Sequence, residues 1–241
     1  AVHFPGVGWV VGMLSSAVFW GLCWALPPLP AALWVAAALS TVFSVLLTGA
    51  FHEDGLADLA DGLGGSLDRE RALDIMKDSR IGSYGSLTLI LLLGLKIATL
   101  ALLAQQSPLL AAVALLWAHT LSRLSPLLLM FSLAHVGDLA RSKSKPLADA
   151  ISPVQLAAAL IWPTLIGAAA LWLIPTGAWV LAALSMLLST WHLRAWFAAR
   201  IGGFTGDTLG CTQQISELLA YLALAAWPQL VAYAMRWESW L

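Results

Sequence analysis

Charge is what this sequence lacks most. Only 10% of its 241 residues are Asp, Glu, Lys or Arg, while 60% are hydrophobic. An ordinary soluble domain carries about a quarter charged residues, so this composition excludes one and points to a membrane protein. A basic excess is missing too: the formal net charge of -1 leaves no field for holding a polyphosphate backbone, which excludes nucleic acid as a partner. Cysteine is nearly absent. Cys23 and Cys211 form no CxxC or metal-spaced set and read as two buried small apolar residues. No internal repeat marks a transporter with inverted halves. The chain starts at Ala1 without an initiator Met or the basic flank of a signal peptide, and we expect a further piece before it.

Long apolar runs fill the rest. A membrane helix needs about 20 mainly apolar residues, and about seven such windows are present. They lie near residues 7 to 26, 31 to 51, 85 to 104, 108 to 131, 154 to 174, 177 to 193 and 217 to 235. The expected fold is all-α: a polytopic transmembrane helix bundle of about seven spans, forming a single integral-membrane domain over residues 1–241, with a short cytoplasmic-face helix between spans two and three. Pro163 and Pro228 fall inside windows and predict kinks rather than ends. The tryptophans are expected as interfacial anchors and core.

The connections divide by charge. The stretches 27-PPLP-30, 105-QQS-107 and 174-IPTG-177 carry none. The other face collects Arg69, Arg71, Lys77, Arg80, Arg141, Lys143, Lys145, Arg194 and Arg200, with every acid except Glu238. The positive-inside rule makes that face cytoplasmic, the first helix starting inside and the C-terminus outside. The segment 141-RSKSKPLAD-149 reads as an exposed basic tract that fixes this topology. Two cations, Lys96 and Arg123, lie within windows, where a central charge costs about 2.5–3.5 kcal/mol. Both are expected to face the bundle interior. For Arg123 the alternatives are an ion pair or snorkelling against a substrate contact; for Lys96, a structural role against attraction of an anion at the floor of a site.

The acids concentrate in 52-HEDGLADLADG-62. If the second helix continues past Phe51, then Asp54, Asp58 and Asp61 project from one face. Like charges at that spacing repel, and a hard divalent cation would turn repulsion into coordination, so the pattern predicts a Mg²⁺ site. A merely solvated helix end would mix signs, yet no Lys or Arg occurs between this stretch and Arg69. The following 62-GLGG-65 is expected to break the helix, with Ser66 capping a short one to about Lys77. Within 77-KDSRIGSYG-85, Lys77, Ser79 and Arg80 combine cations, a hydroxyl and approachable backbone in a way suited to phosphate. The glycine-rich 202-GGFTGDTLG-210 offers Thr205, Gly206 and Asp207; a flexible turn is the alternative there.

Three blocks carry a family resemblance: H-x-D-G-L-A-D-x-x-D-G at 52 to 62, I-M-K-D-S-R-I-G-x-Y-G at 75 to 85, and T-G-D-T-L-G at 205 to 210. In order and separation they resemble the membrane-bound cobalamin synthases, or adenosylcobinamide-GDP ribazoletransferases, over essentially the whole chain. The resemblance implies a Mg²⁺-dependent enzyme of the bacterial or archaeal cytoplasmic membrane. Its reaction would join adenosylcobinamide-GDP to α-ribazole or its 5′-phosphate and release GMP. Two departures stand out: the Thr-Arg-Leu-Pro segment that often precedes the first helix in that family is not in this chain, and residues 135 to 149 lack a Tyr-Ala-Arg pattern.

On this reading Asp54, Asp58, Asp61 and Asp207 are expected to ligate Mg²⁺, and Asp78 either ligates it or orients neighbouring cations. Lys77, Ser79, Arg80, Arg123, Thr205 and Gly206 join Asp207 in binding substrate. The general base is His52 or a cluster carboxylate. His119, His135 and His192 are expected to be structural. A CDP-alcohol phosphotransferase would need Ala-Arg where Asp58-Leu59 stands. An intramembrane prenyltransferase would need a second acid-rich motif. A transporter with a cation site would need acids near the middle of the membrane. Membrane lipid is an expected partner, and a homo-oligomer stays open.

Overall fold

A computed structural model describes residues 2–137 and 151–238. The basic tract at 141–149, with Arg141, Lys143 and Lys145, lies outside the described residues, as does the side chain of Glu238. The helices are α1 (Phe4–Ala25), α2 (Pro30–Leu47), α3 (Phe51–Gly65), α4 (Arg69–Met76), α5 (Ser83–Gln106), α6 (Pro108–Ser122), α7 (Leu124–Ser132), α8 (Pro153–Ala159), α9 (Ile161–Leu173), α10 (Ala178–Ile201) and α11 (Gly206–Glu238). Among the described residues there is no strand, only an isolated bridge between His135 and Phe204. The protein is an all-α, polytopic membrane helix bundle.

Among the described residues, six helical stretches are long and apolar enough to cross a membrane: Phe4–Ala25, Pro30–Leu47, Ser83–Gln106, Pro108–Ser132, Pro153–Leu173 and Gly206–Ala232. The expected seventh, 177 to 193, falls in α10. That helix has 24 residues but is not among the six; His192, Arg194 and Arg200 dilute its apolar character. Two of the six are interrupted at prolines. Pro126 has no N–H to offer the Ser122 carbonyl, and the helix breaks at Arg123. Pro163 likewise has no N–H to offer the Ala159 carbonyl, and the break comes at Leu160. Pro228 lies inside the continuous α11.

Three local expectations are corrected. The second helix does not continue past Phe51: Gly49 (φ 63°) and Ala50 (φ 57°) turn left-handed, and α3 starts anew. A left-handed alanine costs about 1–2 kcal/mol, so packing must hold this corner. The run 62-GLGG-65 does not break α3, which extends through Gly65. Instead Gly62 admits α4: a Cβ there would come within 2.8 Å of the Ala72 carbonyl oxygen. The cap of α4 is Asp68, not Ser66; Asp68 Oδ1 accepts from the Arg71 N–H at 2.9 Å.

Small residues bring α1 onto α6. Gly8 lies under the His119 carbonyl, a Cβ on Gly12 would meet Leu116 Cα at 2.8 Å, and Ser16 Oγ donates to the Ala112 carbonyl at 2.7 Å. This four-residue spacing is the usual means by which membrane helices approach closely. The apolar interior then forms two clusters. One contains Phe19, Leu100, Trp117, Trp179 and Tyr221. The other contains Leu56, Leu59, Met76, Leu127, Phe197 and Phe204. Gly12→Leu is expected to force α1 from α6 and lower stability by about 1–3 kcal/mol, read as a reduced thermal midpoint in detergent; an unchanged midpoint would show that the contact is not tight.

Candidate active site

The three sequence blocks converge on α3. At its C-terminal half, Asp61 accepts the Gly82 N–H on Oδ2 (2.7 Å) and the Gly85 N–H on Oδ1 (2.9 Å), fastening the start of α5. Gly82 and Gly85 both lie against the Asp61 carboxylate, leaving no room for side chains. At its N-terminal half, α3 meets the first turn of α11. A Cβ on Gly55 would lie 3.0 Å from Asp207 Cα, and one on Gly210 would lie 2.9 Å from the His52 carbonyl oxygen. Asp54 and Asp58 stand between these two anchors, exposed and partly buried respectively.

The start of α11 is held by its own threonines. Thr208 N–H donates to Thr205 Oγ1 (3.3 Å) and Thr205 N–H donates to Thr208 Oγ1 (3.0 Å), a reciprocal cap. Thr205 Oγ1 also donates to Asp207 Oδ2 at 3.3 Å, which orients that carboxylate. Gly206 opens the helix beside it. Gly202 takes a left-handed φ of 78° at the end of α10, so the glycine-rich run is largely a packed helix-to-helix corner. Cations finish the neighbouring helix ends: Arg200 Nη2 donates to the Leu63 and Ser66 carbonyls, and Arg69 Nε to that of Ile201.

The 77–80 segment is exposed. Lys77 Nζ pairs with Asp74 at 3.2 Å, and Arg80 grips Asp78 through Nε and Nη2, the shortest contact being 2.5 Å. The Arg80 fork holds the Asp78 carboxyl down at about 2 and is itself pushed up in return. Asp78 thus orients a cation. Ser79 is exposed next to it.

Behind α3 runs a buried polar chain that sequence reasoning missed. Glu53, expected to be just one more acid of the cluster, points inward and accepts from Gln214 Nε2 at 2.8 Å. Gln214 donates also to Gln213 Oε1 (2.9 Å), and Gln213 Nε2 donates to Glu217 Oε2 (2.8 Å) and Ser122 Oγ (3.0 Å). Glu217 Oε1 then meets Lys96 Nζ at 2.7 Å, Tyr221 Oη at 2.9 Å and His119 Nε2 at 3.5 Å. Glu217 was expected at the entrance of the last helix, among acids beyond the spans. It lies well inside α11, because the helix begins at Gly206 and not near 217. Lys96 is therefore neutralised by a partner rather than held in wait for an anion. The i, i+4 spacing of Gln213, Glu217 and Tyr221 was the available signal.

Arg123, at the break between α6 and α7, is 4% exposed, and its Nη1 donates to the His119 carbonyl at 2.8 Å. His52 opens α3 beside it. Burial first, then the Arg123 charge, lowers the His52 imidazole to about 3, so it is neutral at ordinary pH and a weak proton acceptor. Burial pushes the Glu53 carboxyl up against the pull of Lys96. His119 is buried, as expected of a structural residue; His192 is exposed and His135 packs on Phe204.

Among the described residues, no three His, Cys, Asp or Glu side chains converge as a metal-holding group. Asp61 commits both oxygens to backbone N–H groups. Asp54 and Asp58 stand one turn apart on α3, with Asp207 across the Gly55 contact, and all three carry hard carboxylate oxygens. Mg²⁺ is commonly held by one or two carboxylates plus substrate phosphate oxygens. The donor chemistry fits that arrangement.

The structure is a membrane-embedded helix bundle that gathers acids, cations and a threonine-capped helix start around one short helix. Residues 1–225 match the family described as cobalamin-5-phosphate synthase, and the chain belongs to that family. A protein from Albidiferax ferrireducens (strain ATCC BAA-621 / DSM 15236 / T118) named adenosylcobinamide-GDP ribazoletransferase is 51% identical over 239 residues, covering 93% of this chain and 85% of its own. Proteins of the same name from Polaromonas naphthalenivorans (strain CJ2) and Polaromonas sp. (strain JS666 / ATCC BAA-500) are 50% and 48% identical, again over 93% of this chain, and over 85% and 84% of theirs. No solved structure matches.

Removing one partner of a buried pair leaves an uncompensated charge, so Lys96→Met and Glu217→Gln are each expected to cost about 3–5 kcal/mol, with the double variant regaining part of the loss. Thermal unfolding in detergent checks this; additive losses would dissolve the pair. For His52, the pH dependence of turnover between about pH 6 and 8 is expected to keep its shape in His52→Gln, since a neutral imidazole contributes no inflection there. An inflection present only in the wild-type protein would contradict that protonation state.

Proposed function

We propose that this chain is a late cobalamin-assembly transferase that joins adenosylcobinamide-GDP to α-ribazole or its 5′-phosphate and releases GMP. The observation that carries the reading is the convergence of all three sequence blocks on α3, with Asp54, Asp58 and Asp207 between the anchors. In the reaction a ribose hydroxyl oxygen bonds to the phosphorus nearer cobinamide. The bond from that phosphorus to the bridging oxygen breaks, and GMP departs with the electron pair. No covalent enzyme intermediate is needed.

One or two of the carboxylates Asp54, Asp58 and Asp207, together with substrate phosphate oxygens, would hold Mg²⁺, whose chemistry is to neutralise charge developing on the phosphoryl oxygens. Lys77 and Arg80, now paired with Asp74 and Asp78, sit on an exposed segment where exchange to a phosphate partner costs little, because water screens such pairs. Asp61 acts by keeping that segment on α3. The proton from the attacking hydroxyl goes to a carboxylate of the acid-bearing face, since buried, neutral His52 is a weak acceptor. Catalysis by such a site is mainly positioning and charge stabilisation. The acid-bearing face is assigned to the cytoplasm of a bacterial or archaeal inner membrane, where nucleotide substrates are available, and lipid surrounds the exposed apolar helices. Phosphoryl transfer of the CDP-alcohol type is disfavoured, since α3 carries Asp58-Leu59 where that chemistry needs Ala-Arg.

Asp54→Asn and Asp58→Asn are expected to lower GMP release by about 10²-fold or more and to raise the magnesium requirement. Asp61→Asn is expected to lose stability as well, because an amide oxygen replaces only one of the two acceptors. Single-turnover GMP release at graded magnesium, with a folding control, measures both; near-wild-type release in Asp54→Asn and Asp58→Asn would remove the proposed metal site.

A further inference from the structure

Asp207, Gly210, Gln214, Glu217 and Tyr221 are spaced alternately by three and four residues and so share one face of α11. The outer end of that face belongs to the acid-bearing site: Asp207 backs onto Gly55, and Gly210 lies against the His52 carbonyl. The inner end is fixed by the Lys96–Glu217 pair. Between the two, Gln214 Nε2 donates both to Glu53 Oε1 on α3 (2.8 Å) and to Gln213 Oε1 (2.9 Å). Gln213 Nε2 donates to Glu217 Oε2, so the ion pair decides which way round the Gln213 amide lies, and Gln213 decides the same for Gln214. The link to α3 is therefore directional.

That link stabilises poorly. Glu53 is 6% and Gln214 2% exposed, yet Glu53 Oε2 and Gln214 Oε1 are both buried without a hydrogen-bond partner among the described residues. Two apolar side chains of similar size would fill the space without leaving acceptors stripped of water. What the contact supplies is alignment. Glu53 directly precedes Asp54, and Gln214 lies seven residues, about 10 Å, along α11 from Asp207. Gly55 and Gly210 let the two backbones approach, but a glycine surface does not select a register. A hydrogen bond of fixed direction does.

We propose that Glu53 and Gln214 are a positioning pair for the transfer reaction: by fixing α3 against α11 they set Asp54 and Asp58 at the separation from Asp207 that a divalent cation bound to a diphosphate requires. The assignment rests on the reaction proposed above. Both side chains are buried, so they act through the carboxylates beside them and not on substrate.

The test combines three measurements on the detergent-purified full chain: protein-bound Mn²⁺ by electron paramagnetic resonance with GMP present, GMP release, and thermal unfolding. Glu53→Met and Gln214→Leu are each expected to weaken Mn²⁺ about tenfold or more and to lower kcat, with KM for α-ribazole within about twofold of wild type. Glu53→Gln restores the contact, since its amide oxygen accepts from Gln214 and its NH₂ can meet Gln214 Oε1; it is expected to stay within about threefold of wild type in Mn²⁺ affinity and kcat. The double variant Glu53→Met with Gln214→Leu is expected to unfold at or above the wild-type temperature while Mn²⁺ affinity and kcat stay low. A merely structural pair would regain function together with stability. Wild-type Mn²⁺ affinity and turnover in the folded double variant would overturn the positioning role alone, as would a Glu53→Gln loss equal to that of Glu53→Met. A wild-type chain that neither holds Mn²⁺ nor releases GMP would overturn the proposed reaction and this assignment with it.

Discussion

A lysine inside an apolar span has to be answered from within the bundle, because neither water nor lipid can do it. Lys96 on α5 is answered by Glu217 on α11, and the remaining lone pairs of Glu217 are taken up by Gln213 and Tyr221. Such a pair adds little net stability against a well-packed apolar alternative, but its geometry is specific. It sets the depth and rotation of α11 against α5. Through Gln213, Gln214 and Glu53 the same chain of contacts sets α3 against α11. The polar seam lies between the two apolar clusters, neither of which alone would choose a register.

Once α3 is placed, its two faces do different work. Glu53 and the glycines face the bundle: Gly55 admits the first turn of α11 and Gly62 admits α4. Asp54 and Asp58 face outward. Asp61 sits at the boundary and fastens the start of α5. Four acids in a short run thus have different fates, decided by their angular position on one helix. Their repulsion is relieved partly by burial of Glu53 in a polar network and partly by backbone donors to Asp61, which leaves a smaller set for a cation than a count of acids suggests.

A membrane setting suits a reaction whose partners are both amphipathic. The acid-bearing face of α3 is polar, and the cavity at its start has an apolar wall with one buried cation, Arg123. The left-handed corner at Gly49 and Ala50 ends α2 and lets α3 start anew, packed on the starts of α5 and α11.

The apolar windows made the helical bundle legible, because crossing a membrane demands runs that no other structure needs. The acidic block, the Lys-Arg block and the glycine-threonine block were legible too, since oxygen ligands, cations and approachable backbone follow from residue type. Individual roles were less so. The two backbone N–H groups that Asp61 holds were not legible from its residue type; the Gly62–Gly65 run read as a break and is the packed last turn of α3; Glu217 read as a loop-end acid and lies deep in a span. Each of these differences concerns direction. By itself, the amino-acid order determined which segments enter the membrane and which chemical groups are available there. Which groups meet was decided only by the tertiary structure, because pairing depends on helix rotation and depth, and those are set by contacts between residues as far apart as Lys96 and Glu217 or Glu53 and Gln214.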